Sequence, residues 1–306
     1  MAPQDEPPLR LADLGEDEIV RRLTHALPLS PGTVAGAGDD CAVLATADRR
    51  WLQLFKTDCI VERIHFLPDT PPRKIGWKAL CRCISDIAAM GGLPTEAVVT
   101  VAAPADLPWR RLSGIYTGLK TACRKFGVGL VGGETSRVPP GAPLLLSVAM
   151  LGRVERRCLV QRSGGRPDDL VFVTGRLGGS LRGWHLDFSP RMDAARWLAA
   201  RFRPTAMMDL SDGLAADLPR LAAASGTGWE VFPSAVPRRS GCTLTQALHD
   251  GEDYELLFCL PPRRCAALVS EWKRAFPKLP LTCIGRLTAD TKCQNGMPPG
   301  GWQHFQ

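Results

Sequence analysis

The sequence predicts two α/β or α+β domains joined near residue 155. Three observations predict this. Strand and helix signals alternate through residues 16–152, the composition shifts at 153–169 to a run rich in Arg, Gly and Asp, and the alternation restarts beyond it. A length of 306 residues suffices for two cores, and 45% hydrophobic with 23% charged residues is a globular composition, which excludes disordered, collagenous and coiled-coil classes.

Residues 16–27 place Ile19, Val20, Leu23 and Leu27 at helical spacing. Residues 51–56 read as a strand that ends at Thr57-Asp58. Residues 72–90 form a helix whose second half, 79–90, is apolar on nearly every face, which predicts deep burial. A strand follows at 95–103, then a helix at 109–126 with Leu112, Ile115, Leu119, Ala122, Cys123 and Phe126 on one stripe and Gly127 as its C-cap. Strands at 128–131 and 144–152 complete the first half. In the second half, strands at 170–174, 205–210, 254–260 and 281–287 alternate with helices at 190–202, 214–224 and 263–276.

No apolar run approaches the roughly 20 residues of a membrane helix; the longest, 144–151, is strand-sized and contains Ser147. Residues 1–8 are acidic and proline-rich, where a secretory leader is basic and then apolar. The expectation is a soluble intracellular protein. The 11 cysteines agree: odd in number, scattered and without a C-x-x-C pair, they read as small buried hydrophobes rather than disulfides or a zinc site. The formal charge of +7 is spread along the chain without a block of like charges, so no nucleic-acid partner is expected.

The absence of any Gly-Lys dipeptide excludes a Walker-type phosphate loop. Residues 127–132 match G-x-G-x-x-G but follow a helix and span a strand, whereas the dinucleotide fingerprint follows a strand and opens a helix. The five His are far apart and suggest neither a metal site nor a catalytic triad. What remains is a series of carboxylates at turns and strand ends: Gly38-Asp39-Asp40, Thr57-Asp58, Ser85-Asp86, Gly133-Glu134, Asp209-Leu-Ser-Asp212 and Gly251-Glu252-Asp253. Carboxylates among small residues suit hard cations such as Mg²⁺ that bridge to phosphate oxygens; they also mark ordinary turns and caps. Asp86 lies in the apolar stretch 84–90, where an ionised carboxylate must cap a group, pair with an Arg or meet a metal. Asp209 and Asp212 flank Ser211 just before the helix at 214, whose free N–H groups suit a phosphate. The residues alone predict an Mg²⁺-dependent enzyme acting on phosphates.

Taken in order, the motifs resemble the thiamine-monophosphate kinase family of the aminoimidazole ribonucleotide synthetase-like superfamily. They are Gly36-Ala-Gly-Asp-Asp-Cys-Ala-Val-Leu44, Thr57-Asp58 with Val61-Glu-Arg-Ile-His-Phe66, and Ile84-Ser-Asp-Ile-Ala-Ala-Met-Gly91. Then come Leu130-Val-Gly-Gly-Glu-Thr-Ser-Arg137, Gln161-Arg-Ser-Gly164, Met208-Asp-Leu-Ser-Asp-Gly-Leu-Ala-Ala-Asp217, Gly251-Glu-Asp-Tyr-Glu-Leu256 and Gly301-Trp-Gln-His-Phe305. The resemblance implies a two-domain α/β (α+β) fold. Residues 1–154 would form an ATP- and Mg²⁺-binding domain whose mixed sheet builds a barrel in a homodimer, and residues 155–306 an α/β sandwich completing the site. It implies a cytoplasmic enzyme, without a membrane or nucleic-acid partner, that moves the γ-phosphoryl of ATP directly to thiamine monophosphate.

The resemblance further implies several Mg²⁺ ions held by Asp40, Asp58, Asp86, Asp209 and Asp212, with Thr57 and Glu134 assisting. ATP, the co-substrate, would meet Tyr116, Gly133, Glu134, Arg162 and Ser211, and Asp212 and Arg162 would serve the transfer through positioning and charge neutralisation. Thiamine monophosphate would meet His65, Glu252 and Trp302, the indole facing a cationic ring. A C-terminal anchor is the alternative for Trp302, and a buried network for His65. Lys56 stands where the family has Ser or Thr, and either replaces one bound cation or points to solvent. Glu134 stands where the family has Asp, on a longer arm that shifts a metal. These departures leave open a binding homologue without turnover, or another ATP-dependent member of the superfamily; the Gly301-Trp302 motif favours thiamine. The segment 177–190 also departs from the family pattern and has no assigned role.

Overall fold

Two six-stranded sheets, each flanked by helices, account for the alternating signals. The computed structural model describes residues 9–305, so residues 1–8, with their acidic and proline-rich pattern, lie outside the described residues. The chain enters through two short helices, α1 (Leu11–Leu14) and α2 (Glu16–Thr24), and then three strands, β1 (Thr33–Ala35), β2 (Ala42–Ala45) and β3 (Trp51–Val61). Helix α3 (Pro72–Ala89), β4 (Leu93–Pro104), α4 (Trp109–Phe126), β5 (Gly129–Val138) and β6 (Leu145–Glu155) follow. The first sheet runs β1-β2-β3-β6-β4-β5 and is mixed: β4 and β5 are parallel, joined through α4 as a crossover requires, and the other pairs are antiparallel.

The second half contains β7 (Leu170–Thr174), α5 (Trp184–Asp187), α6 (Met192–Arg201), β8 (Ala206–Asp209), α7 (Leu214–Ala224) and β9 (Gly228–Val231). It ends with α8 (Leu244–His249), β10 (Leu256–Leu260), α9 (Pro262–Ala275), β11 (Leu281–Thr288) and β12 (Gln294–Asn295). The second sheet runs β12-β9-β11-β7-β10-β8 and is antiparallel except at β12. The mixed α/β class expected from the sequence is the observed one.

Differences in detail have physical causes. β3 does not stop at Asp58, because it pairs with β6 along its whole length, from Trp51↔Glu155 to Val61↔Leu145. Lys56 and Asp58 therefore sit within a strand rather than at its end. Helix α2 stops at Thr24, and of its stripe only Ile19 is buried while Val20 and Leu23 are exposed. Strands β1, β2 and β9 are too short for a period of two to declare itself. No helix among the described residues is long and apolar enough to cross a membrane.

α3 is the element that positions the site. Its residues from Ala79 to Ala89 are almost all buried, as the apolar second half predicts, and one core surrounds it with side chains from both halves of the chain, including Val148, Phe188 and Phe258. α3 and α4 touch backbone to backbone. A Cβ on Gly76 would lie 1.9 Å from the Ile115 carbonyl oxygen, and one on Gly118 would lie 2.0 Å from that of Arg73. Replacing Gly118 with Ala should therefore cost about 3 kcal/mol in a urea unfolding curve, because neither backbone can yield. Gly32→Ala, with nothing near the added methyl, should shift the midpoint little.

Candidate active site

Four side chains project from one face of α3, at the i, i+4, i+7 and i+8 spacing of a helix stripe: Lys78, Arg82, Ser85 and Asp86. β3 places Lys56 and Asp58 opposite them, and the turn before β2 supplies Asp39 and Asp40. The chain leaving β6 contributes Arg162, and the turn between β8 and α7 contributes Asp209, Ser211 and Asp212. α7 adds Asp217 and Arg220. Asp217 Oδ2 accepts the backbone N–H groups of Ser211 and Asp212, each at 3.0 Å, and so shapes that turn.

Carboxylate oxygens of Asp40, Asp86 and Asp209 all lie within 4.8 Å of one another, and the three residues are buried. Protein cations answer most of this charge. Lys56 Nζ lies 3.2 Å from Asp86 Oδ1, so the side chain points into the cluster and not to solvent. Arg162 donates to Asp40 through Nε at 3.2 Å and Nη2 at 2.5 Å, and its backbone N–H donates to Asp39. Arg82 grips Asp58 through Nε and Nη2, both at 3.1 Å. Arg220 pairs with Asp212 and Asp217, and reaches Asp17 of α2 at 3.1 Å. The Ser85 hydroxyl donates to Asp209 at 2.5 Å.

The compensation is incomplete. Burial, then the Asp40 charge, pushes the Asp209 carboxyl up to about 7. Burial holds Asp86 well above the usual carboxylate range even beside Lys56. Burial by itself would lower the Lys56 ammonium, but the Asp86 and Asp58 carboxylates outweigh it and keep it charged. Asp40 Oδ2 is buried without a partner. Hard oxygen donors this close, one of them orphaned, fit Mg²⁺.

The cluster opens on a cavity of about 650 Å³ lined by Lys56, Asp58, Arg82, Asp86, Arg162, Asp209, Ser211 and Asp212. A smaller cavity of about 100 Å³ abuts it, lined by His65, Glu252 and Trp302 and sharing Arg82, Ser211, Asp212, Tyr254 and His304. Here Lys78, fully buried, lies 2.5 Å from Glu252 and donates to the His65 carbonyl at 2.6 Å. Burial draws the Lys78 ammonium down to about 8 against the pull of Glu252. His65 Nδ1 accepts the Val61 N–H at 3.1 Å, and burial, then Arg82, takes the ring down to about 3, so it is neutral with its proton on Nε2. His65 thus belongs both to a buried network and to the cavity wall.

Trp302 is no buried anchor; it is 47% exposed at this cavity. Its backbone N–H donates to the Asp212 carbonyl at 2.8 Å. Gly301, at φ +97°, permits the approach, since a Cβ there would lie 2.8 Å from that same oxygen. Glu252 and Tyr254 both hold left-handed backbone, at φ 52° and 51°, a strain of roughly 1–3 kcal/mol each.

The fold thus gathers Asp40, Asp58, Asp86, Arg162, Asp209, Ser211, Asp212, His65, Glu252 and Trp302. Thr57, Tyr116, Gly133 and Glu134 line neither cavity. Thr57 is exposed on β3, Tyr116 packs half-buried against the core from α4, and Gly133 and Glu134 are exposed on edge strand β5. The sequence motifs assign no role to Lys78, Arg82, Asp217 or Arg220, which the fold brings to the site. The signal for Arg82 is the one that marks Asp86: a charge inside a helix half whose other residues are almost all apolar needs a partner.

The raised carboxyls predict proton-linked cation binding. A folded-state acid raised above its unfolded value stabilises the fold fully below pH about 4, and that contribution is lost as pH rises through about 7. Cation-free protein should therefore lose stability between pH 5 and 8, and Mg²⁺ or Mn²⁺ should restore it most at the alkaline end. Calorimetry in buffers of different ionisation enthalpy should record proton release on cation binding at pH 6.5, diminished in Asp209→Asn.

The chain matches the AIR synthase related protein family twice, its N-terminal domain at residues 38–154 and its C-terminal domain at 161–294. It is 36% identical over 279 residues to a Rhodopirellula baltica protein named thiamine-monophosphate kinase, covering 85% of each chain. It is 32% identical to the Aquifex aeolicus protein of that name, covering 97% of this chain and 100% of the relative. A solved structure described as AaThiL complexed with AMPPCP and TMP superposes with a TM-score of 0.82 at 31% identity, over 97% of this chain and 99% of that one.

Proposed function

The chain belongs to the AIR synthase related family, among its thiamine-monophosphate kinases, and from that premise we infer that it transfers the γ-phosphoryl group of ATP to thiamine monophosphate, giving thiamine diphosphate and ADP. The observation that carries this reading is the shared wall: the carboxylate-lined cavity and the Trp302 cavity meet at Arg82, Ser211 and Asp212. The larger cavity takes the nucleotide, beside Arg162 and Ser211. The smaller, at about 100 Å³, holds one ring of an acceptor rather than a whole ligand, which needs roughly 300 Å³ or more. The acceptor phosphate then reaches through the wall towards the carboxylates.

Asp40, Asp58, Asp86, Asp209 and Asp212 are the residues that would hold Mg²⁺. When bound, Mg²⁺ supplies charge neutralisation of the phosphate oxygens. The chain's own contribution is positioning. Arg162 is locked by Asp39 and Asp40, Asp212 is oriented by Arg220, and both face the transferring group. Neutral His65 and the Lys78-paired Glu252 orient the acceptor, and the exposed Trp302 face attracts its cationic ring. The acceptor oxygen is ionised at neutral pH, so no general base is required.

Residues 1–154 would provide nucleotide, cation and dimer contacts, and 155–306 would complete the site. A homodimer joined through the N-terminal sheets suits β5, which is exposed along most of its length and unpaired on one edge. A second copy there would enclose Gly133 and Glu134. Eleven unpaired cysteines suit a reducing cytoplasm.

Purified protein given ATP, Mg²⁺ and thiamine monophosphate should form thiamine diphosphate; nucleotide binding without product would overturn the kinase reading. Asp209→Asn should reduce kcat roughly 100-fold, and Trp302→Ala should raise the KM for thiamine monophosphate about 10-fold. With Lys56 in the cluster, we expect its ammonium to stand in for one divalent ion. Counted by Mn²⁺ paramagnetic resonance with a non-hydrolysable ATP analogue, Lys56→Thr should bind one more ion than the native chain, and an equal count would refute the substitution.

A further inference from the structure

The segment 177–190 grips the loop 250–254 nearly residue by residue. The Gly179 N–H donates to Asp250 Oδ2 at 2.7 Å, the Ser180 hydroxyl to the Gly251 carbonyl at 2.6 Å, and the Gly178 N–H to Asp253 Oδ1 at 3.1 Å. The Trp184 indole N–H donates to the Asp253 carbonyl at 2.8 Å, and the Phe188 ring lies flat on Tyr254 with centroids 3.8 Å apart. Arg239 closes the rear, pairing with the buried Asp253 carboxylate and lying 4.5 Å over the Trp184 ring. Of these loop residues Glu252 alone takes nothing from the segment, and its carboxylate faces Lys78 and the small cavity.

Such a hold is required because Glu252 and Tyr254, on either side of Asp253, both keep left-handed backbone that ordinary side chains avoid. Close approach is built in at Gly178, where a Cβ would lie 2.7 Å from the Ala247 backbone nitrogen. The segment also reaches the cavity itself. Leu181 is 63% exposed, yet it lines the small cavity together with Trp302 and the exposed Ile64. Large apolar side chains left open at a cavity lined by polar groups gain by being covered with a flat ring.

We propose that residues 177–190 form the positioning and specificity element of the acceptor site: Ser180, Trp184 and Phe188 hold Glu252 and Tyr254 in their working backbone, and Leu181 supplies an apolar wall for a heteroaromatic cation. This rests on the reading of the small cavity as the place where thiamine monophosphate binds. Trp184 and Ser180 are positioning residues that act through the loop, and Leu181 touches the substrate.

Two variants test it. Trp184→Phe keeps an aromatic side chain, though a smaller one, and removes the indole N–H donor to the Asp253 carbonyl, while Leu181→Ala trims an exposed tip on which folding does not depend. Each should raise the dissociation constant for thiamine monophosphate about 5- to 10-fold, while affinity for a non-hydrolysable ATP analogue moves less than about twofold. KM for thiamine monophosphate should rise more than kcat falls. Unchanged acceptor affinity in either variant, or an equal loss for both ligands, overturns the proposal while leaving the kinase reading intact if the native protein turns over. A native protein that binds the nucleotide analogue but not thiamine monophosphate overturns both.

Discussion

Buried like charge is the constraint on which the rest depends. Three carboxylates, Asp40, Asp86 and Asp209, lie within reach of one ion in a buried cluster, where an uncompensated charge costs several kcal/mol. The chain meets this with Lys56, Arg162 and Ser85, yet Asp40 Oδ2 stays buried without a partner and burial still raises the Asp86 and Asp209 carboxyls. A bound cation would complete the balance. The backbone-tight contact of α3 with α4, the double acceptance by Asp217 and the pinned C-terminal tail all keep these groups from separating.

The same charge arithmetic explains what could be read from the sequence. A carboxylate in an apolar helix half contradicts its surroundings, and Asp86 stood out for that reason. Helices whose apolar stripe and capping agree, such as α4 with its left-handed Gly127, fall where periodicity puts them. Periodicity reports which face is apolar but not whether anything covers it, so the exposed Val20 and Leu23 of α2 were illegible. Lys78 carries no local signal, because its partner Glu252 lies far along the chain and only folding brings them together. Gly133 and Glu134 were legible as a motif, yet their place on an edge strand follows from sheet order, which no local pattern encodes.

The loop 250–254 shows a second way of using instability. Two left-handed residues would relax in isolation, and buried Asp253 with Arg239 behind it keeps them from doing so. Strain held by neighbours yields a carboxylate and a phenol whose directions are set before any ligand arrives, so ordering them on binding costs little entropy.

α3 has one more consequence. Lys78, beside Glu252 of the small cavity, and Asp86, in the carboxylate cluster, are fixed on one rigid helix, eight residues apart, which at 1.5 Å per residue is about 12 Å along its axis. The helix is a ruler. Because its pitch cannot stretch and its glycine contacts prevent it from sliding, the distance from the small cavity to the carboxylate cluster is a constant of the backbone. On the proposed reading of the two cavities, a substrate whose reactive oxygen lies nearer or farther from its ring than that constant would be excluded by length, whatever its affinity for the indole.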